Sequence, residues 1–254
     1  MEYFIIVLIG LLIHESGHYI AAVSCGVSVR KFCVFFDPGF HLFSTGNRFK
    51  TEFCIGWIPI GGYVALKEPE EGVAPSRDCY ASRSLWTRLL LCLSGPLLNL
   101  AVAFLGTYAY TEKYLDTANR YPTSVCMRYS YQSMKNRAIG YYDDVLHTFS
   151  KKENDNAKVG QNKVQKRTRK LDKARRLFLY FTSVNLFIFL FNILPWPPLD
   201  GGRIALLLYS LITGRRINED IELLIICAGA VLLLAFLAFD YIRSFISLLS
   251  NWTA

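Results

Sequence analysis

Four stretches of the chain are almost continuously apolar, and each is close to the length that spans a bilayer. Tyr3 to Val23 is broken by strongly polar groups only at His14, Glu15 and His18. Leu85 to Tyr110 carries one charge, Arg88, near its start. Leu177 to Leu194 carries none, and Ile221 to Phe239 has Glu222 at its edge. About 20 apolar residues in helical conformation cross a ~30 Å hydrocarbon core. The pattern predicts an α-helical integral membrane protein with about four transmembrane helices. Four buried helices of a water-soluble core are the competing reading of such runs. The first run has only Met1 and Glu2 before it, not the basic start of a signal peptide, so it is expected to be retained.

Between the first two runs the period changes. Phe49, Thr51, Phe53, Ile55 and Trp57 alternate with Lys50 and Glu52, which predicts a half-exposed strand over Arg48 to Trp57. Asp37-Pro38-Gly39 and Ser44-Thr45-Gly46-Asn47 are turn signals before it, and Pro59, Gly61 and Gly62 end it. A small antiparallel hairpin or sheet over residues 27–66 is expected there, followed by a polar loop from Lys67 to Arg83. Three segments result: a first half of the core at 1–110, an extramembrane insert at 111–176, and a second half of the core at 177–254. Within the insert, Lys151 to Lys170 is polar and nearly free of large apolar residues, so it reads as solvated or disordered. Val164, Leu171, Ala174 and Phe178 then recur at helical spacing among seven basic residues. A basic amphipathic extension of the third apolar helix and a plain solvated charge run both fit.

Composition adds little to this picture and removes some alternatives. The net charge of +8 comes largely from Lys and Arg flanking the apolar runs, where such residues meet lipid headgroups, so no nucleic-acid partner is expected. Arg30 and Lys31 follow the first helix, Arg83 and Arg88 open the second, and Arg203, Arg215 and Arg216 lie between the third and fourth. The positive-inside rule then places the N-terminus outside, against the contrary weight of the basic cluster at 163–176. Seven cysteines show no C-x-x-C pair and an odd count, so no zinc ribbon or disulfide framework is expected, and no cysteine receives a role.

The chemistry lies in the first run. His14-Glu15-Ser16-Gly17-His18 is H-E-x-x-H on a helix. Four residues turn through 400°, so the two imidazoles point nearly the same way and can bind one metal ion. Glu15 is rotated about 100° away, within reach of a water on that ion. Ionisable groups in an apolar span cost ~2.5–3.5 kcal/mol each for a central charge and usually mark a functional site. A catalytic zinc takes three protein ligands. The candidate third is Asp200, after the helix-breaking Pro195, Pro197 and Pro198. An ordinary helix cap, Asp ahead of Gly201-Gly202-Arg203 and an apolar run, fits that position about equally well.

Four segments in order carry a resemblance to the site-2 protease family of intramembrane zinc metalloproteases: His14 to His18; Ile60-Gly61-Gly62-Tyr63-Val64 after Pro59; Ser94-Gly95-Pro96-Leu97-Leu98-Asn99; and Asn192 to Gly201 as N-x-x-P-x-P-x-L-D-G. The resemblance implies zinc bound by His14, His18 and Asp200, with Glu15 as the catalytic base. It implies that Asn192 holds substrate backbone and that Cys33 to Trp57 forms a membrane-re-entrant hairpin. Phe53 and Ile55 on Arg48–Trp57 are then the candidate edge that pairs with unwound substrate. The substrates implied are single-span membrane proteins, possibly pre-cleaved, and the location is the bacterial inner membrane. A non-catalytic family member that binds membrane segments is the alternative. The chain departs from the best-known bacterial members in one respect: residues 111–176 are short for a PDZ domain and lack its pattern.

Overall fold

The computed structural model describes residues 1–45, 51–69, 76–114, 123–149, 173–215, 217–218, 221–232 and 235. Six helices and a four-stranded sheet appear among them: α1 (Glu2–Ser24), β1 (Val29–Phe36), β2 (Phe43–Ser44), β3 (Glu52–Ile55), β4 (Ile58–Leu66), α2 (Leu85–Tyr114), α3 (Thr123–Phe149), α4 (Lys173–Asn192), α5 (Asp200–Thr213) and α6 (Ile221–Leu232). Three of the helices, at Glu2–Ser24, Leu85–Glu112 and Lys173–Asn192, are long and apolar enough to cross a membrane. The fourth expected run is helical over Ile221–Leu232, and most of its remainder lies outside the described residues. So do Gly46 to Lys50 of the expected turn and strand, the polar stretch Lys151 to Lys170, and Val164 and Leu171 of the basic extension. The chain divides into two compact units, one of Met1–Arg83 with Ser94–Phe191 and one of Ser84–Leu93 with Asn192–Ala254.

In the first unit the burial of α1 is inverted relative to a helix on a water-soluble protein. Its buried residues are Gly10, His14, Gly17 and Ala22, a stripe of small residues and one histidine. Tyr3, Phe4, Ile5, Ile9, Leu12 and Ile20 face outward. Small residues inside and bulky apolar ones outside are the arrangement of helices packed in lipid, where close backbone approach and interhelical hydrogen bonds drive association. The buried residues of α4 continue this: Thr182, Asn185, Leu186 and Ile188. Gly10 packs on Val184 and Ile188 of α4. Glu2 meets Lys173 at 2.6 Å, so the two helices run side by side from the same end. The insert supplies α3, which closes on α2 and α4. Met134 joins Ala103 and Leu186 in a buried cluster. Arg137 donates to the hydroxyls of Thr107, Thr182 and Ser183.

The sheet has strand order β2-β3-β1-β4. β1 and β3 run parallel with Cys33 opposite Cys54, while β1 and β4 are antiparallel with Cys33 opposite Tyr63. The sheet is therefore not purely antiparallel as expected, because β2 turns the chain back before β3 joins β1. Lys31 and Tyr63 both hold Asp37, each at 2.5 Å. Burial pushes the Asp37 carboxyl up, but the hydrogen bonds from Lys31 and Tyr63 prevail and hold it below the usual carboxylate range. This clamp is present above the ordinary carboxylate pKa and is lost as pH falls through the lowered one. Asp78 accepts from Ser76, Ser28 and Lys67 and so ties the two ends of the sheet to the following loop.

The cysteine spacing gave no disulfide framework, and the structure has one bonded pair among the described residues: Cys33 and Cys54, 21 residues apart. Spacing in sequence could not show this, because the pairing depends on the parallel register of β1 and β3. Closing a loop of this length restricts the unfolded chain by about 3 kcal/mol in the chain-entropy estimate. Reduction, or the pair Cys33→Ser and Cys54→Ser, is expected to lower the thermal midpoint by several degrees. An unchanged midpoint in the double variant would show that the bond adds nothing.

Candidate metal centre

The backbone of α1 brings His14 and His18 to one face, and their Nε2 atoms lie 3.2 Å apart. Two nitrogens each ~2.0–2.1 Å from one tetrahedral ion would be separated by about 3.3 Å, so the pair is spaced for zinc. The rings sit nearly edge to face, with centroids 4.8 Å apart. His14 is buried, at 5% exposure, and its Nδ1 lies 2.9 Å from Asn99 Oδ1 on α2.

The direction of that hydrogen bond is fixed by its neighbours. The Nδ2 of Asn99 donates to the Gly10 carbonyl at 3.0 Å and to Asn185 Oδ1 at 2.9 Å, so its oxygen is the atom left for His14. An amide oxygen only accepts, so Nδ1 of His14 carries the hydrogen and Nε2 presents a lone pair toward His18. A histidine ligand held through its other nitrogen is the usual support of a metal site. The residues fit a divalent ion with an affinity for imidazole.

His18 is held from α2. Ser94 Oγ is 3.4 Å from its Nδ1. Gly95 lies directly under the ring, where an added Cβ would come within 2.3 Å of Nε2. One residue back on α1, a Cβ on Gly17 would meet the Ser94 carbonyl oxygen at 2.6 Å. Two glycines thus let α1 and α2 touch backbone to backbone at the centre. Pro96, inside α2, follows this contact.

The Glu15 side chain lies against the sheet. With Leu8, Leu11 and Leu12 it lines a small groove whose other wall is Val34, Phe35, Gly61 and Gly62. Gly61 has φ +139°, which L side chains rarely adopt, and a Cβ on Gly62 would press on the Glu15 side chain. The Gly-Gly pair lets β4 pass close to the carboxylate. β4 is the outermost strand on this side, whereas β3 lies between β1 and β2. Phe53 and Ile55, expected on a pairing edge, are instead engaged: Ile55 pairs with Phe43 and Val34, and Phe53 with Phe32. The alternation in the sequence identified a strand but could not rank it in the sheet, since order depends on distant partners.

In the second unit Asn192 ends α4 and Asp200 is the first residue of α5. The segment between them breaks helix as its prolines require, with a cis Pro197–Pro198 bond. Trp196 donates to the Gly229 carbonyl of α6 at 3.2 Å. The loop folds so tightly under α5 that a Cβ on Gly201 would meet the Leu194 carbonyl at 2.1 Å. The N-cap of α5 is Leu199, not Asp200, so the ordinary-cap reading of Asp200 does not describe this helix start.

Asn99 stood in a motif without a role, and Asn185 was missed. The signal for Asn185 was available, as an amide in the otherwise apolar run Leu177 to Leu194.

Comparison with known proteins shows the family of the chain. The family model for peptidase family M50 matches residues 2–236. A Neisseria meningitidis protein named for zinc metalloprotease activity is 35% identical over 137 residues, 50% of this chain and 30% of its own length. The regulator of sigma-E protease of Salmonella typhimurium is 38% identical over 103 residues, 39% of this chain and 22% of its own. That of Haemophilus influenzae is 33% identical over 106 residues, 41% and 23%. The chain thus spans less than a third of the length of these relatives. With a match over nearly its whole length to one family model, the chain belongs to peptidase family M50, the site-2 proteases.

Proposed function

We propose that this chain is an intramembrane zinc metalloendopeptidase that cuts peptide bonds within or near the transmembrane segments of single-span membrane proteins. The observation that carries the reading is the His14–His18 pair, with Nε2 atoms at zinc spacing and the His14 hydrogen assigned to Nδ1 by Asn99. Asp200 is the proposed third ligand, supported by its place in the Asn192 to Gly201 motif and by a helix start that does not use it as cap. Zinc held by this set supplies Lewis acidity toward the scissile carbonyl and makes water easier to deprotonate. Glu15 would take the proton from the attacking water and pass it to the leaving amine. Asn192 is proposed to hold substrate backbone. The outward apolar faces of α1, α2 and α4 support chemistry within the bilayer, and the basic residues at the helix ends favour an inner-membrane topology with the N-terminus outside. Purified protein in lipid nanodiscs should hold about one zinc per chain and cleave a model single-span peptide; failure of cleavage with zinc in place would favour the non-catalytic alternative.

Proteolysis needs extended substrate, because a helix hides its carbonyls in its own hydrogen bonds. An open strand edge takes up such a segment by main-chain pairing. The proposed edge moves from Phe53 and Ile55 to β4, which is outermost in the sheet and runs past Glu15. A photo-crosslinking residue at Tyr63 in a Glu15→Gln background should capture bound substrate, and one at Phe53 should capture much less. Equal capture at both positions would reject the assignment.

A further inference from the structure

We propose that Asn185 is a positioning residue for His14: through Asn99 it holds the imidazole in the tautomer with its hydrogen on Nδ1 and a lone pair, the form that ligates metal, on Nε2. The inference rests on the zinc reading of the site and extends it to a residue outside every motif described above.

The chain of hydrogen bonds starts at a group that can only accept. The Phe181 carbonyl on α4 receives Nδ2 of Asn185 at 2.9 Å, which turns Asn185 Oδ1 away from it. That oxygen receives Nδ2 of Asn99 at 2.9 Å, and the Gly10 carbonyl receives the same group at 3.0 Å. Both hydrogens of the Asn99 amide are then used, and Asn99 Oδ1 accepts from His14 Nδ1 at 2.9 Å. Asn99 and Asn185 are fully buried and His14 nearly so, so water does not compete for these groups.

A flipped Asn99 amide would set its oxygen against two acceptors, the Gly10 carbonyl and Asn185 Oδ1. It would also offer N–H groups to His14 Nδ1, moving the imidazole hydrogen to Nε2 and covering the ligand lone pair. Asn185 supplies one of those two penalties. Without it a single acceptor, Gly10, opposes the flip. Partners of this kind, one step beyond the ligand, typically change metal affinity by ~10–100-fold.

The test separates positioning from packing by using two variants with opposite rankings. Asn185→Leu keeps the size of the side chain but removes the acceptor. Asn185→Asp keeps an acceptor for Asn99 but buries a charge, which destabilises the fold more. Zinc affinity, measured by competition with a chromophoric chelator in nanodiscs, should fall about tenfold in Asn185→Leu and stay within about threefold of wild type in Asn185→Asp. The thermal midpoint of the zinc-free protein should fall further in Asn185→Asp. A residue that serves packing alone would make affinity follow stability, with Asn185→Asp the weaker binder, and that order overturns the proposal. So does an unchanged affinity in Asn185→Leu. A second readout needs no variant and no metal: nitrogen-15 shifts of the zinc-free wild type should show His14 with its hydrogen on Nδ1. A hydrogen on Nε2 overturns the relay even if zinc binds. A wild type with the Nδ1 tautomer that binds no zinc refutes the zinc reading and leaves the hydrogen-bond chain intact.

Discussion

Glu15→Gln is expected to keep about one zinc per chain while cleavage falls by the ~10²–10⁴-fold typical of a lost general base. Gln keeps the shape of the side chain against β4 but cannot accept the proton of water. His14→Ala, His18→Ala and Asp200→Ala should behave differently, because each removes a proposed ligand: zinc affinity should fall sharply, and activity with it. Metal content and cleavage of a membrane peptide by the four purified variants distinguish the roles. Full zinc in Asp200→Ala would send the search for a third ligand elsewhere, with Glu15 the first suspect. Loss of zinc in Glu15→Gln would point the same way.

The second large effect is expected at Gly95, and the contrast with Gly17 gives it content. A methyl group on Gly95 would lie 2.3 Å from His18 Nε2, the nitrogen proposed to face the metal. The obstacle is a side chain, so the ring can turn aside and the helices can stay together. Gly95→Ala should therefore lose zinc binding and cleavage while its thermal midpoint changes little. A methyl group on Gly17 meets backbone instead, the Ser94 carbonyl at 2.6 Å and the Gly95 Cα at 2.9 Å. Backbone cannot turn aside, so α1 and α2 must separate, at a cost on the order of 1–3 kcal/mol for overpacking. Gly17→Ala should lower the midpoint clearly. If Gly95→Ala retains wild-type zinc affinity, His18 does not bind metal through the nitrogen assigned here.

The three long helices were legible because a membrane demands long apolar runs, and lengths and edges follow closely from composition. The histidine pair was legible for a similarly local reason, since i and i+4 share a face of any helix. What could not be read were features set by distant partners. The disulfide needs β1 and β3 to lie parallel in register, and nothing in the spacing of Cys33 and Cys54 encodes that. The place of β3 inside the sheet was equally hidden. Asn185 sits 171 residues from His14 along the chain, and only the packing of α4 against α1 and α2 brings its amide into the relay. The first part of the insert, rich in Tyr, forms α3, which meets α2 and α4 through Met134, Ala138 and Tyr141.

The amide of Asn99 has a consequence for assembly. It touches the Gly10 carbonyl and His14 on one helix and Asn185 on another, while belonging to a third. Helices in lipid can slide past one another with little change in the apolar surface they expose, so greasy packing alone is a poor ruler of vertical alignment. A shift of one residue is ~1.5 Å, enough to pull a 2.9 Å hydrogen bond apart. A single side chain thus ties three helices at one height, and the tautomer proposed for His14 holds only while those contacts stay in register.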